Sequence, residues 1–227
     1  ELEKLKGLLA KNKPDGILAG ELGIIDFGRK ILQIPVVADI SLNPMNSNTI
    51  KFLHKNGVDT ITFSIELALK DLKALNICHE LETETIIYGK LPIMITETCP
   101  MINSNKCNSQ CDHCAQKPYQ YVWGLKDEKK AVFPFTKDNW GRTIIINGHP
   151  IYMIDKIKDL HGLPITSFRL DFTNEDSEEI KEIMMAYYYA IEHEYKRDNK
   201  IYNINHNKVN KSIVNNFTRG HYYRGVE

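Results

Sequence analysis

The chain has no run of eighteen apolar residues and no charged-then-apolar leader, so nothing in its 227 residues is suited to span a membrane or direct secretion. The expected compartment is the cytoplasm. Neither charge dominates: Lys and Arg number 29, as do Asp and Glu, which removes any global electrostatic argument for a nucleic-acid or membrane partner and leaves only local patches. Signatures of proteolysis are also lacking. There is no HExxH, no GxSxG, and no cysteine set apart as an obvious nucleophile. A triad is recognised by geometry, so a scattered Ser, His and Asp set stays open. Ser64 with His54 or His79 is one such set, although eight histidines in a chain of this size need no catalytic explanation.

What is present is enough for one substantial core. With 42% hydrophobic and 26% charged residues, a single domain over residues 1–227 is the expectation. The sequence begins at Glu1 rather than Met, and its first elements read as the middle of something longer. Residues 2 to 11 place leucines at helical spacing. Short apolar runs then recur: Gly16 to Ala19, Pro35 to Ile40, Thr60 to Ser64, Thr85 to Gly89 and Ser167 to Phe172. They read as buried parallel strands. Helical stretches separate them, Asn48 to Lys55 closed by Gly57, Glu66 to Leu75, and Glu175 to about Tyr195, the last with Ile180, Ile183, Met184, Tyr187 and Ile191 on one stripe. Strands alternating with helices predict parallel βα units. Five units are too few to close an eight-stranded barrel, so the predicted fold class is α/β, a partial TIM-like (β/α) barrel with a cysteine-rich insertion.

In βα architectures the chemistry collects at the carboxyl ends of the strands. Polar residues fall there in every unit but the fourth: Glu21, then Asp39 and Asn43, then Ser64 and Glu66, then Asp171. Asp39, Asn43, Glu66 and Arg169 are the candidates for lining a pocket. An arginine on an otherwise buried strand must find an acceptor, either a substrate carboxylate or phosphate or a salt bridge to Asp171 or Glu66. A helix cap or loop hydrogen bond is the ordinary alternative for each of the others.

Between residues 92 and 164 the periodicity breaks down. This insertion holds a charged turn (Asp127 to Lys130), an extended AVFPF, a strand from Thr143 to Ile146, and four of the five cysteines. Cys99, Cys107, Cys111 and Cys114 have seven, three and two residues between successive members. Soft thiolates this close invite an iron–sulfur cluster, of the four-iron type, or zinc. Closed zinc sites usually use two short-spaced pairs, a pattern this spacing does not follow. Cys107, Cys111 and Cys114 also spell the CxxxCxxC of radical S-adenosylmethionine enzymes, but His113 stands where those have an aromatic residue and no glycine-rich stretch follows. Cys78 is left over and reads as a buried bystander. Residues 196 to 217, rich in Lys and Asn, read as a flexible or solvated segment.

The runs DGILAGELGIIDFGRK, PVVADISLNPMNSNTIKFLHKNGVDTITFSIEL and ETIIYGKLPIMITETCP, followed by SFRLDF and the terminal TRGHYYRGVE, resemble the collagenase-like peptidase U32 family over nearly the whole chain. The resemblance implies a TIM-like barrel of which these are the later strands, the opening ones being supplied by another segment of the full-length chain. Some members are called peptidases, which implies a peptide substrate. Others resemble oxygen-independent hydroxylases that act on an RNA base or a quinone-precursor ring and carry an iron–sulfur cluster on four cysteines. The expectation is therefore an iron–sulfur-dependent hydroxylase with an RNA or small ring substrate, with a protease and a structural zinc or cluster-deficient scaffold as alternatives. Tyr88 or Tyr152 would wall the ring. One departure matters: Gly141 precedes Arg142 where the family resemblance implies a cysteine.

Overall fold

A computed structural model describes residues 2–102, 123–173, 175–196 and 217–224. Cys107, Cys111, Cys114 and residues 197–216 lie outside them. The chain forms two compact units, one of Glu1–Ile87, Met153–Leu170 and Arg219–Glu227, the other of Tyr88–Tyr152 and Asp171–Thr218.

The first unit is α/β, a curled parallel sheet amounting to half a barrel. Its strands are β1 (Ile17–Ala19), β2 (Val36–Ala38), β3 (Thr60–Thr62), β4 (Glu82–Gly89) and β10 (Ser167–Asp171), adjacent in that order. β1, β2, β3 and β4 pair in parallel, with Ala19 level with Ala38, Ala38 with Ile61, and Ile61 with Thr83. Those four residues line one face and are buried, which is why Ala, Ile and Thr stand there. The connections carry α1 (Leu2–Lys11), α2 (Leu22–Asp26) running on into a π-helical stretch (Phe27–Leu32), α3 (Ser47–Lys55), α4 (Leu69–Ala74) and α5 (Ile157–Leu160). Asn46 starts α3 by accepting hydrogen bonds from the amides of Asn48 and Thr49 at 3.0 and 2.9 Å. Leu72 of α4 is fully buried. That helix begins at Leu69 and not at Glu66, because Ala68 is extended at ψ 158° and its amide donates to the Asp71 carboxylate at 3.3 Å.

The terminal motif closes this unit. Tyr222 is buried, and its hydroxyl lies 2.8 Å from that of Thr85 while donating to the Ile86 carbonyl at 2.5 Å. Burial pushes the Tyr222 phenol up to about 12, so it stays a donor at any physiological pH. Arg219 pairs with Asp155 at 2.6 Å, and the Tyr223 hydroxyl donates to Asp159 at 2.6 Å. Cys78, expected to be buried, is exposed in the loop before β4, where Leu81 is the buried residue.

In the second unit the insertion folds into an antiparallel sheet that the sequence only half discloses. Its order is β5 (Pro92–Thr96), β8 (Thr143–Ile146), β7 (Val132–Lys137), β6 (Trp123–Lys126). β8 has the bounds predicted for it, AVFPF belongs to β7, and the charged turn joins β6 to β7, with the Ala131 amide on the Asp127 carboxylate at 2.8 Å. β5 is an edge strand with Ile93, Met94 and Ile95 all exposed, a pattern without the alternation that reveals a half-buried strand. β9 (Ile151–Tyr152) runs antiparallel to the last two residues of β4, pairing Tyr88 with Tyr152.

The long helix α6 (Ser177–Lys196) starts at a capping box: Asp176 accepts from the amides of Glu178 and Glu179, and the Glu179 carboxylate accepts from the Asp176 amide at 2.9 Å. Its buried stripe is Ile183, Ala186, Tyr187 and Ala190, whereas Met184 is 52% exposed. The expected stripe chose the larger side chains, but the small alanines are what let the helix approach its neighbours. Tyr187 meets Tyr88 and Tyr152 edge-on, with ring centroids 6.2 and 6.0 Å apart. Ile183→Ala should therefore cost about 2–5 kcal/mol and Met184→Ala no more than about 0.5 kcal/mol by chemical denaturation, and equal losses would show the stripe is misplaced.

Candidate functional site

The parallel sheet has a second face, and its carboxyl end is polar. Thr62 is level with Glu84 in the register of β3 and β4, and one residue beyond Ala38 brings Asp39 into the same row. The side chains join along it. Thr62 donates to Glu84 at 2.8 Å. Arg169, on β10, donates to Asp39 at 2.9 Å and stands 3.8 Å from Glu84. Asp39, Glu84 and Arg169 are 23%, 19% and 21% exposed at the side chain, so the ion pairs are shielded from full solvent screening yet open to a ligand.

Two of the four expected pocket residues, Asp39 and Arg169, thus come together. The other two stand on the following loops. Asn43 is exposed, in left-handed conformation at φ 50°, and ends the short helical turn Ile40–Leu42 after β2. Glu66 is exposed after β3, and its amide meets the Ser64 hydroxyl at 3.4 Å. Asp39 and Glu84 stand as counter-charges of Arg169, neither of them among the partners expected, which were Asp171, Glu66 or a substrate anion. The carboxylates of Asp39 and Glu84 are acceptors suited to N–H or O–H donors. Glu84 was missed because the predicted strand began at Thr85, and Thr62 because it lies inside a predicted strand and not beyond its carboxyl end. The alternating ETET of residues 82 to 85, polar on both faces, was the signal.

The conceivable Ser64 dyads are not built. His54 turns its Nδ1 to the Val58 carbonyl at 3.3 Å, at the amino end of β3, while Ser64 follows the carboxyl end. Val58 precedes β3 and Ser64 follows it, so the two stand at opposite ends of the strand Thr60–Thr62. His79 is also at the amino end, just before Glu82, which is level with Thr60. Ser64 itself is buried.

Tyr88 and Tyr152, the expected ring walls, are core residues of the second unit, 2% and 1% exposed. The Tyr88 hydroxyl donates to Glu175 at 3.1 Å; burial, and then the Glu175 charge, push its pKa up.

Cys99 is the one expected metal ligand within the described residues, and it is half-buried. It lies just past β5, where Thr98 offers its carbonyl to the Thr143 hydroxyl at 2.9 Å. Thr96 is level with Thr143, so Cys99 and Gly141 leave the same end of the β5–β8 pair. Among the described residues no three His, Cys, Asp or Glu side chains are grouped to hold a metal. The Cys99 thiol is a donor of the kind a thiolate-ligated centre uses, whereas the glycine at position 141 supplies no donor side chain.

The reason for glycine there is the turn. The Asp138 amide donates to the Arg142 carbonyl at 3.0 Å, the Gly141 amide returns to the Asp138 carbonyl at 3.0 Å, and Gly141 has φ 80°, the left-handed residue of the hairpin turn. The buried Asp138 carboxylate accepts from the amides of Trp140 and Arg142, both at 2.9 Å, and from Arg142 Nε at 2.7 Å. Burial pushes that carboxyl up, but the Arg142 side-chain and backbone bonds outweigh it and hold the pKa below the usual carboxylate range.

Two outcomes follow from this turn. A depressed pKa gives stability that is present above the unfolded value and lost as pH falls through the folded one, so the wild type should lose more stability than Asp138→Asn on acidification below about pH 4, and parallel pH profiles would refute the ion pair. A Cβ at Gly141 meets nothing within 4 Å. Gly141→Ala should then cost only the conformational term, about 1–2 kcal/mol, and a far larger loss in a thermal melt would mean the turn is crowded.

No solved structure matches the chain. The family model described as Peptidase family U32 matches residues 1–227, the full length of the sequence, and the chain belongs to that family.

Proposed function

We propose that the protein is an iron–sulfur hydroxylase of the U32 family acting on an RNA base or a similar ring. The observation that carries this reading is the grouping of four cysteines within the sixteen residues from Cys99 to Cys114. Cys99, Cys107, Cys111 and Cys114 would hold the cluster, which supplies one-electron redox chemistry when bound. The chain's own residues bind and orient. Asp39 and Glu84 accept hydrogen bonds from ring N–H or sugar O–H groups, and Arg169 holds Asp39 in place and balances part of the charge. The separation of Ser64 from His54 and His79 favours this over proteolysis, since a serine nucleophile needs its base within about 2.6–3.2 Å.

Anaerobic purification with iron, sulfide and zinc analysis is the first test. Brown protein with broad visible absorption, bleached by Cys111→Ser, is expected; colourless protein with one zinc reduces the insertion to a structural staple. Modified bases in RNA from cells with and without the gene test the substrate class, and Arg169→Met should lower the modification at least about tenfold in a folded protein, the cost of a lost charge-assisted contact. Cleavage of unfolded collagen that a single Ser or His substitution abolishes would overturn the reading.

A further inference from the structure

Trp140 is the most exposed large apolar side chain among the described residues, at 69%. It stands at the tip of the β7–β8 turn, where leaving an indole in water forgoes the gain of burying it. The tip is nevertheless rigidly built. Asp138 holds the Trp140 and Arg142 amides and the Arg142 side chain, and the Arg142 guanidinium lies 5.1 Å over the indole ring. Arg142 thus covers one ring face and leaves the other to solvent. Lys137, at the foot of the same turn, reaches the Thr143 hydroxyl at 2.8 Å and adds a second cation.

We infer that this turn is a stacking platform for a base of single-stranded RNA, with Trp140 supplying the ring face and Arg142 and Lys137 attracting the phosphodiester. The choice of RNA rests on the hydroxylase reading; the platform itself rests on the turn. A flat π-face backed by a guanidinium suits a planar heteroaromatic ring of any sequence. A neutral sugar would gain nothing from the positive charge that Lys137 adds to the Asp138–Arg142 pair. One ring is also far below the roughly 800 Å² that each side of a stable protein interface buries.

The test is binding of a labelled single-stranded RNA oligonucleotide, followed by fluorescence anisotropy on the full chain. Trp140→Ala should weaken binding about tenfold while Trp140→Phe keeps most of it, and the matching duplex, whose bases are already stacked, should bind more weakly than the single strand. Because Trp140 is exposed, both variants should melt as the wild type does. Equal binding by wild type and Trp140→Ala overturns the platform, as does equal binding of duplex and single strand, which would leave charge alone. Preference for anionic lipid vesicles over the oligonucleotide, lost in Trp140→Ala, would overturn it in favour of a membrane surface. The two readings fail separately. If the oligonucleotide stacks on Trp140 but RNA from cells without the gene keeps all its modified bases, the platform stands and the hydroxylase falls; if modification is lost with the gene but Trp140→Ala restores it and binds RNA normally, the reverse holds.

Discussion

The demand for backbone hydrogen bonds is concentrated on β4. It has eight residues where β1, β2 and β3 have three each, so most of its length needs partners that its parallel neighbour β3 cannot supply. The Met153 amide reaches the Ile87 carbonyl, and along the edge facing β3 the amide of Phe63 continues the pairing onto the Glu84 carbonyl. On the other edge the Thr166 amide and hydroxyl both meet the Thr83 carbonyl. At its far end β4 turns to β9, and Gly89, at φ 144°, lies so close to the Asp171 backbone that a Cβ would stand 2.5 Å from the Asp171 oxygen. Segments distant in sequence are thus ordered by one strand, because an unpaired buried amide or carbonyl is costly.

The ligand row depends on the same strand. Glu84 stands on it, and its alternation decides which side chains are buried with Ile61 and which face the ion pairs. Thr83 and Thr85 are buried and satisfied, the first by the Pro164 carbonyl and the second by Tyr222. Glu84 between them points to Thr62 and Arg169. A shift of one residue would exchange the faces and bury a carboxylate.

Much of the first unit was legible because its strands are short apolar runs and its helices carry caps. The five strands and the helix ending before Gly57 follow from that. What escaped has physical causes. Glu82 and Glu84 broke the apolar run although they lie on a strand, since one face of that strand is not covered by apolar groups. β5 escaped as an edge strand whose Ile93, Met94 and Ile95 are all exposed. Ala186 and Ala190 escaped because burial was equated with size. The pairing of Asp39 with Arg169, 130 residues apart, is set by strand order, which local spacing does not encode. At position 141 a motif comparison finds a missing donor, while the turn explains the glycine that replaces it.

Tyr222 binds Thr85 and Ile86 across 137 and 136 residues, and Thr166 binds Thr83 across 83. The first unit therefore cannot complete its core as the polypeptide leaves the ribosome. β1 to β4 emerge early and must wait, with the edge of β4 open, until β10 and then the Tyr222 segment have been synthesised. Contacts this distant make folding slow, and an unpaired parallel edge is prone to wrong partners during the delay. The vulnerable interval for this chain is the time taken to translate residues 88 to 222, and a chaperone that shields strand edges would act there.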